Sequence, residues 1–484
     1  MSAQYPLLAL FYARLGDSRL AEFESVWARL APQAVQWSWD DRPLATLGGD
    51  VGPRVVQMLP PLPQSHHGWL ADTAAQSVAC RGVFEVWGQG DTLADCVADT
   101  TTVPAAHIQA RIDGSWRVNS VTIGTRQRRH SDARVARMAQ FGWVLDALAE
   151  RPVDLKTPAH RLWLVEVQRV LRDHQPVPDP APRHLLLFQL PARRPPIQDR
   201  MSQLALRKRA FLSTSTLAVD RALLLCNLAL RSAPAAGATV LDPYCGSGGI
   251  LLTAAALGAQ TVGSDLDWRM VSDNRWPVRI PPSEHRPARG VEAVRMRDNF
   301  DEAGLTQPTA LLKLDVGSVD AASRLLEANG GRRYDALVCD PPYGRREFQH
   351  GKNAWDGELS FKVNEAALAG SLQTLIQLAA DTLRPEGRLV FLAPVRSPRD
   401  ASKPSPETLR DLLQRQGRTR GLEVVHMGVE VLHRGLHRAV VVMTRAHLKE
   451  VGGRRSEVGG RRPVVGGRRR EVSGVTGTPG EPVH

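Results

Sequence analysis

Two hydrophobic rhythms run along this chain, and the second takes over near its middle. Residues 5–12 form a compact apolar run that predicts a strand. Leu20, Phe23, Trp27 and Leu30 then recur at helical spacing, which predicts an amphipathic helix. Strands are expected at residues 83–87, 116–122, 162–167 and 184–190, with helices at 92–98 and 140–148. Nothing in residues 1–190 combines a strand, a glycine loop and a helix, so this stretch reads as a smaller α+β binding module. Pro191, Pro195 and Pro196 predict a linker over residues 191–198.

From residue 239 the expected strands become short and buried. Residues 239–241 lead into Asp242-Pro243-Tyr244-Cys245-Gly246-Ser247-Gly248-Gly249, and an apolar helix starts at Ile250. Strand, glycine turn and helix make the first half of a nucleotide-binding βαβ unit. The next strand, 261–264, ends in Asp265, nineteen positions after Gly246. Residues 311–314 end in Asp315, and 336–338 lead through Cys339 to Asp340. A helix at 372–383 stops at Pro385-Glu386-Gly387, and strands at 388–392, 423–426 and 439–444 complete an α/β, doubly wound sheet.

Acids ending four successive strands carry a chemical meaning. A carboxylate at the mouth of the glycine turn repels a dinucleotide pyrophosphate but favours S-adenosylmethionine, which brings an ammonium and a sulfonium. The cofactor's own carboxylate can use amides at the helix start. Asp265 stands where an acid accepts from a ribose diol, and Asp315 where one accepts from the adenine amine. Asp340-Pro341-Pro342-Tyr343 suits methyl transfer to an exocyclic base nitrogen. Asp340 polarises the N–H bonds, the prolines leave carbonyls free to accept, and Tyr343 offers a face for an unstacked base. Taken alone, the tetrapeptide reads equally as an acidic turn after a buried strand. No metal is required for this chemistry.

Charge adds a partner. The 484 residues carry a formal net charge of +12, which favours a polyanion. Arg126, Arg128, Arg129, His130 and Arg134 cluster after a predicted strand, and Arg275, Arg279, Arg286, Arg289, Arg295 and Arg297 lie between Asp265 and Asp315 as a candidate RNA-contacting loop. Residues 449–484 repeat Val-Gly-Gly-Arg-Arg every seven positions without an apolar stripe, so disorder is expected there. The five cysteines are scattered, which reads as buried free thiols in a reducing compartment. With no long apolar run and no leader pattern, the expected location is cytoplasmic.

Taken together, these motifs resemble the catalytic subunit of tRNA (guanine-10-N2)-methyltransferases over roughly residues 3–446. The matching stretches are residues 5–30, Val86-Trp87-Gly88, residues 152–158, Lys208-Arg209-Ala210-Phe211 with Thr214-Ser215, residues 242–249, Gly263-Ser264-Asp265-Leu266-Asp267 and residues 340–347. The resemblance implies a THUMP-type tRNA-binding module in residues 1–190 and a seven-stranded, Rossmann-like class I methyltransferase domain in 191–448. It implies Thr214, Ser215 and Leu266 as cofactor contacts beside Asp242, Gly246, Gly248, Asp265 and Asp315. It also implies tRNA and a small zinc-binding activator protein as partners. Tyr244-Cys245 departs from the more usual Phe-Val, and Ser213 stands where the family often has Gly. Other readings are a THUMP-bearing guanine-N2 methyltransferase acting elsewhere on tRNA or rRNA, a DNA adenine methyltransferase and a non-catalytic RNA-binding scaffold. A nicotinamide dehydrogenase fits least, because of Asp242.

Overall fold

The structure, a computed structural model, describes residues 5–12, 18–31, 56–60, 62–123, 131–167, 183–213, 216–231, 237–274, 276–278, 292–342, 365–396, 404–431 and 437–446. Residues Met1–His447 form one compact unit. The Val-Gly-Gly-Arg-Arg repeat lies outside the described residues.

The first sheet has six strands: β1 (Leu7–Phe11), β2 (Val56–Met58), β3 (Cys80–Gly90), β4 (Trp116–Ile123), β5 (His160–Val167) and β6 (Arg183–Gln189), in the order β2-β1-β3-β6-β5-β4. Only β4 and β5 run parallel; the other pairs are antiparallel. Leu7, Ala9 and Phe11 enter one buried cluster while Leu8 and Leu10 enter another. That alternation is the period of two that a strand imposes, with both faces covered. The expected helix at 92–98 forms at Leu93–Thr100, where Thr92 and Asp95 exchange hydrogen bonds as a capping box.

The second sheet comprises β7 (Thr239–Asp242), β8 (Gln260–Asp265), β11 (Ala310–Lys313), β12 (Tyr334–Cys339), β13 (Leu383–Val395), β14 (Leu422–Val431) and β15 (His437–Arg445), with a separate two-stranded ribbon of β9 (Trp276–Val278) and β10 (Glu292–Val294). Its order is β11-β8-β7-β12-β13-β15-β14, parallel from β11 to β13, with β15 antiparallel to both neighbours. Numbered within the sheet, this is 3-2-1-4-5-7-6, the seven-stranded doubly wound α/β arrangement that was expected. The order reverses between β7 and β12, so the crevice for ligands opens beyond their carboxyl ends.

Three expectations change. The turn at Pro385-Glu386-Gly387 does not separate a helix from a strand: β13 runs through it, with a register shift against β12. Glu386 adopts φ 61°, and a side chain at Gly387 would meet the Arg384 carbonyl at 2.8 Å. The proline-rich linker is anchored, because Asp72 accepts from the Arg193 amide at 2.7 Å and from its guanidinium at 2.8 Å. Finally, the arginine-rich stretch between Asp265 and Asp315 contains the β9–β10 ribbon rather than only an irregular loop.

The two sheets share a core. Buried residues of β1, of the helix Ser18–Leu30, of the helix Val219–Ala229 and of β15 belong to one continuous cluster. The helix Ser18–Leu30 joins them with polar bonds as well. Glu22, fully buried, accepts from the Val78 amide at 2.9 Å and from Asn227 Nδ2 at 2.6 Å. Arg29 donates to Asn227 Oδ1 at 2.9 Å, and Ser18 meets His426 of β14 at 3.1 Å.

Candidate active site

Asp242 closes β7 and is 1% exposed. Its carboxylate accepts from the Tyr244 amide at 3.1 Å, which starts the turn. Burial pushes its pKa well above the usual carboxylate range, and the charges of Asp265 and Asp340 push it further. Asp242 and Asp265 end β7 and β8 and Asp340 follows β12, so the three acids stand on neighbouring strands at the carboxyl rim beside the switch between β7 and β12.

The glycine turn is sewn to β8. Cys245 N donates to the Ser264 carbonyl at 2.9 Å, Gly246 N to Asp265 Oδ2 at 2.8 Å, and Gly248 N to the Cys245 carbonyl at 2.7 Å. Gly246 (φ 48°) and Gly248 (φ 79°) occupy the left-handed region that glycine enters without steric penalty. A Cβ on Gly248 would also lie 2.6 Å from Met296 Sδ. The helix Gly249–Ala256 then leads away with its first amides facing the turn.

Asp265 is half-buried, and its pKa is raised chiefly by burial. One oxygen accepts from Gly246 N and the other from Asp267 N at 2.9 Å. Each carboxylate oxygen retains acceptor capacity. Asp265 thus holds the loop in place, a task the strand-end pattern did not reveal. Leu266 is 54% exposed beside it. Asp315 lies two residues past the end of β11, exposed, with Oδ1 accepting from Gly317 N at 2.9 Å. Register makes Lys313 level with Asp265, so Asp315 stands at the same rim.

Asp340 follows β12 and is half-buried, with Pro341 buried and Pro342 half-buried. Cys339 points into the opposite core cluster, and burial together with Asp242 and Asp340 pushes its thiol pKa well up. It is held as a neutral thiol. Thr214, Ser215 and Tyr343 lie outside the described residues, as do Arg126, Arg128, Arg129, His130, Arg275, Arg279, Arg286 and Arg289; the side chain of Arg134 does too. Arg295 and Arg297 do not form a free basic loop. Arg295 pairs with Asp298 at 3.4 Å, and Arg297 with Asp273 at 2.7 Å.

Several supports escaped the sequence reading. Asn299 brackets the Phe211 backbone, accepting from its amide at 2.9 Å and donating to its carbonyl at 2.8 Å. Thr216 Oγ1 meets Ser247 Oγ at 2.9 Å, fastening Thr216 to the glycine turn. Arg209 lies buried under that turn, its Nε donating to the Leu204 carbonyl at 3.1 Å and its pKa pushed down to about 10 by burial. Only the Lys208-Arg209-Ala210-Phe211 match hinted at this layer.

A strand rim that carries one buried and two half-buried carboxylates suits a cationic ligand, and the positive-φ turn suits close backbone approach. A pyrophosphate would meet repulsion from all three acids.

Residues 207–356 match the family model described as the RMKL-like methyltransferase domain, UPF0020. A tRNA (guanine(10)-N2)-dimethyltransferase of Methanothermobacter thermautotrophicus is 31% identical over 147 residues, 30% of this chain and 33% of that protein. The tRNA (guanine(10)-N(2))-methyltransferase of Saccharomyces cerevisiae is 24% identical over 345 residues, 67% of this chain and 72% of that protein. Among solved structures, TrmN from Thermus thermophilus is 20% identical, with a TM-score of 0.42, 91% of this chain and 99% of that one covered. By sequence, then, the chain is similar to tRNA (guanine-10-N2)-methyltransferases over two thirds of its length, and its residues 207–356 match an RMKL-like methyltransferase domain.

Proposed function

We propose that this chain transfers a methyl group from S-adenosylmethionine to N2 of a guanosine in tRNA, at position 10. The observation that carries the reading is that Asp242, Asp265 and Asp340 stand at the carboxyl ends of three neighbouring strands at the switch point of a seven-stranded sheet. The names of the relatives supply the substrate. Residues 1–190 serve as a THUMP-type tRNA-binding module, 191–448 as the methyltransferase region and 449–484 as a tail.

When bound, S-adenosylmethionine supplies a methyl carbon whose bond to the sulfonium sulfur breaks as the bond to nitrogen forms. Asp242 favours the positive charge near it, and that charge favours its ionised form. Gly246 and Gly248 allow the backbone to approach closely. Asp265 accepts from the ribose diol with its remaining lone pairs, Asp315 from the adenine amine, and Leu266 covers the adenine ring. Thr214 and Ser215 are further cofactor contacts on this reading, supported by the resemblance alone. Asp340 and the Pro341 carbonyl accept from the two N–H bonds of the guanine amine, while Pro342 fixes the turn and Tyr343 stacks the base. Positive charge develops on nitrogen during transfer, and these fixed acceptors stabilise it where it appears. Asp340 then takes the released proton. Holding the two reactants in line supplies much of the rate.

The reading includes a small zinc-binding activator protein as partner, supported by the resemblance alone. Co-expression tests it: the activator should co-purify and raise the melting temperature. Nucleoside mass spectrometry of tRNA incubated with the full chain and S-adenosylmethionine tests the activity. N2-methylguanosine mapped to position 10 is the expected product. A methyl group on another nucleotide would reassign the target, and tRNA binding without cofactor binding by calorimetry would leave an RNA scaffold.

A further inference from the structure

Glu430 is a buried carboxylate, its side chain 3% exposed, and it is shared by two arginines from different elements. Arg221, at the start of the helix Val219–Ala229, donates Nε to one oxygen at 2.9 Å, and Arg438 of β15 donates Nε to the other at 2.9 Å. Asp220 accepts from the remaining arm of Arg221 at 2.8 Å. Arg221 is therefore spent on internal bonds, whereas Arg438 is bound through Nε alone. Its two terminal amino groups have no partner among the described residues, and its side chain is 15% exposed. Among the described residues the result is a guanidinium held at its root and free at its tip.

Its place on the sheet is informative. Cys339 is level with Phe391, so Asp340 lies level with Leu392, while Arg438 is paired with Pro394. Arg438 thus stands two residues further toward the carboxyl rim and two strands to the side. At ~3.3 Å per residue and ~4.8 Å between strands, that is about 7 Å outward and about 10 Å sideways. The faces agree as well. Val240, Val338 and Val440 share one core cluster, and two residues from each lie Asp242, Asp340 and Arg438.

We propose that Arg438 is a positioning residue that grips an RNA phosphate beside the nucleotide being methylated; this rests on the reading that RNA is the substrate. A base directed inward at Asp340 leaves its sugar and phosphates outward of that acid, the direction in which Arg438 projects. The same rim carries three carboxylates that repel the backbone, so a local cation must offset them. A planar fork with unengaged amino groups matches a phosphate, and phosphate contacts set register without reading sequence. A purely structural tie between β14 and β15 would use the Nε bond and would gain nothing from an open tip. The cluster as a whole is neutral, with Arg221 and Arg438 set against Glu430 and Asp220, so the grip is directional rather than a diffuse basic patch.

The test measures tRNA affinity of the full chain against salt concentration, with calorimetric cofactor binding alongside. Arg438→Ala should raise the tRNA Kd about tenfold at low salt and flatten the log–log salt slope by about one. Cofactor affinity should not change. Arg438→Lys should keep the slope, and Arg332→Ala, at the opposite end of β12, should match the parent in both. A parental Kd and slope in Arg438→Ala, or an equal loss of slope in the Lys variant, would overturn the assignment. If the parent binds tRNA but transfers no methyl group, the proposed activity fails and the slope comparison still decides Arg438. If the parent shows no affinity for tRNA, both fall.

Discussion

Asp242 is costly to the empty protein, and that cost is measurable. Its folded pKa is raised by burial and by neighbouring acids, so the fold favours its protonated form. Stability from this group is fully present below the unfolded carboxylate range and is lost as pH rises through the folded value. Asp242→Asn imitates the protonated state. Without cofactor it should melt at a higher temperature than the parent at neutral pH, with the gap closing toward pH 4, and it should bind S-adenosylmethionine more weakly. A melting curve that falls equally for both proteins across that range would refute the assignment. Gly248→Ala probes the turn: a left-handed φ and contact with Met296 should cost about 1–2 kcal/mol by denaturant titration. The four acids were legible because each ends an apolar strand. Met296 and Asn299 were not, since a contact with a partner 48 or 88 positions away leaves no local pattern.

Among elements, the helix Ser18–Leu30 was legible from its apolar spacing, but its destination was not. It packs between the two sheets, and its polar bonds reach residues in both halves of the chain. Asn227→Ala would take from Arg29 its side-chain acceptor and from Glu22 one of several donors, and should destabilise by about 2 kcal/mol, with both sheets unfolding in one transition. Separate transitions in calorimetry would contradict that coupling. For the same reason residues 191–448 expressed alone should fail to fold cooperatively, which far- and near-ultraviolet circular dichroism would show. The helix Val219–Ala229 gave no signal because it is buried on nearly every side, and a helix covered all round shows little amphipathic period. The β9–β10 ribbon hid behind prolines and arginines that read as loop.

At the scale of the molecule, the seven strands of the second sheet followed from seven apolar runs, while their order and the shared core between the sheets could not, because both depend on contacts far apart in sequence. The net charge of +12 predicts tRNA affinity that falls steeply with salt, and a flat response would contradict a phosphate-dominated interface. Among the described residues no helix is long and apolar enough to cross a membrane. In the proposed function these features unite in a rim that presents a base amine to an electrophilic methyl group, with Asp340 as its chemical hinge. Single-turnover transfer of labelled methyl to tRNA, compared for the parent and Asp340→Ala at matched cofactor occupancy, probes this without intermediaries. Transfer should fall by several orders of magnitude in the variant while cofactor affinity is retained; a rate within tenfold of the parent would contradict it.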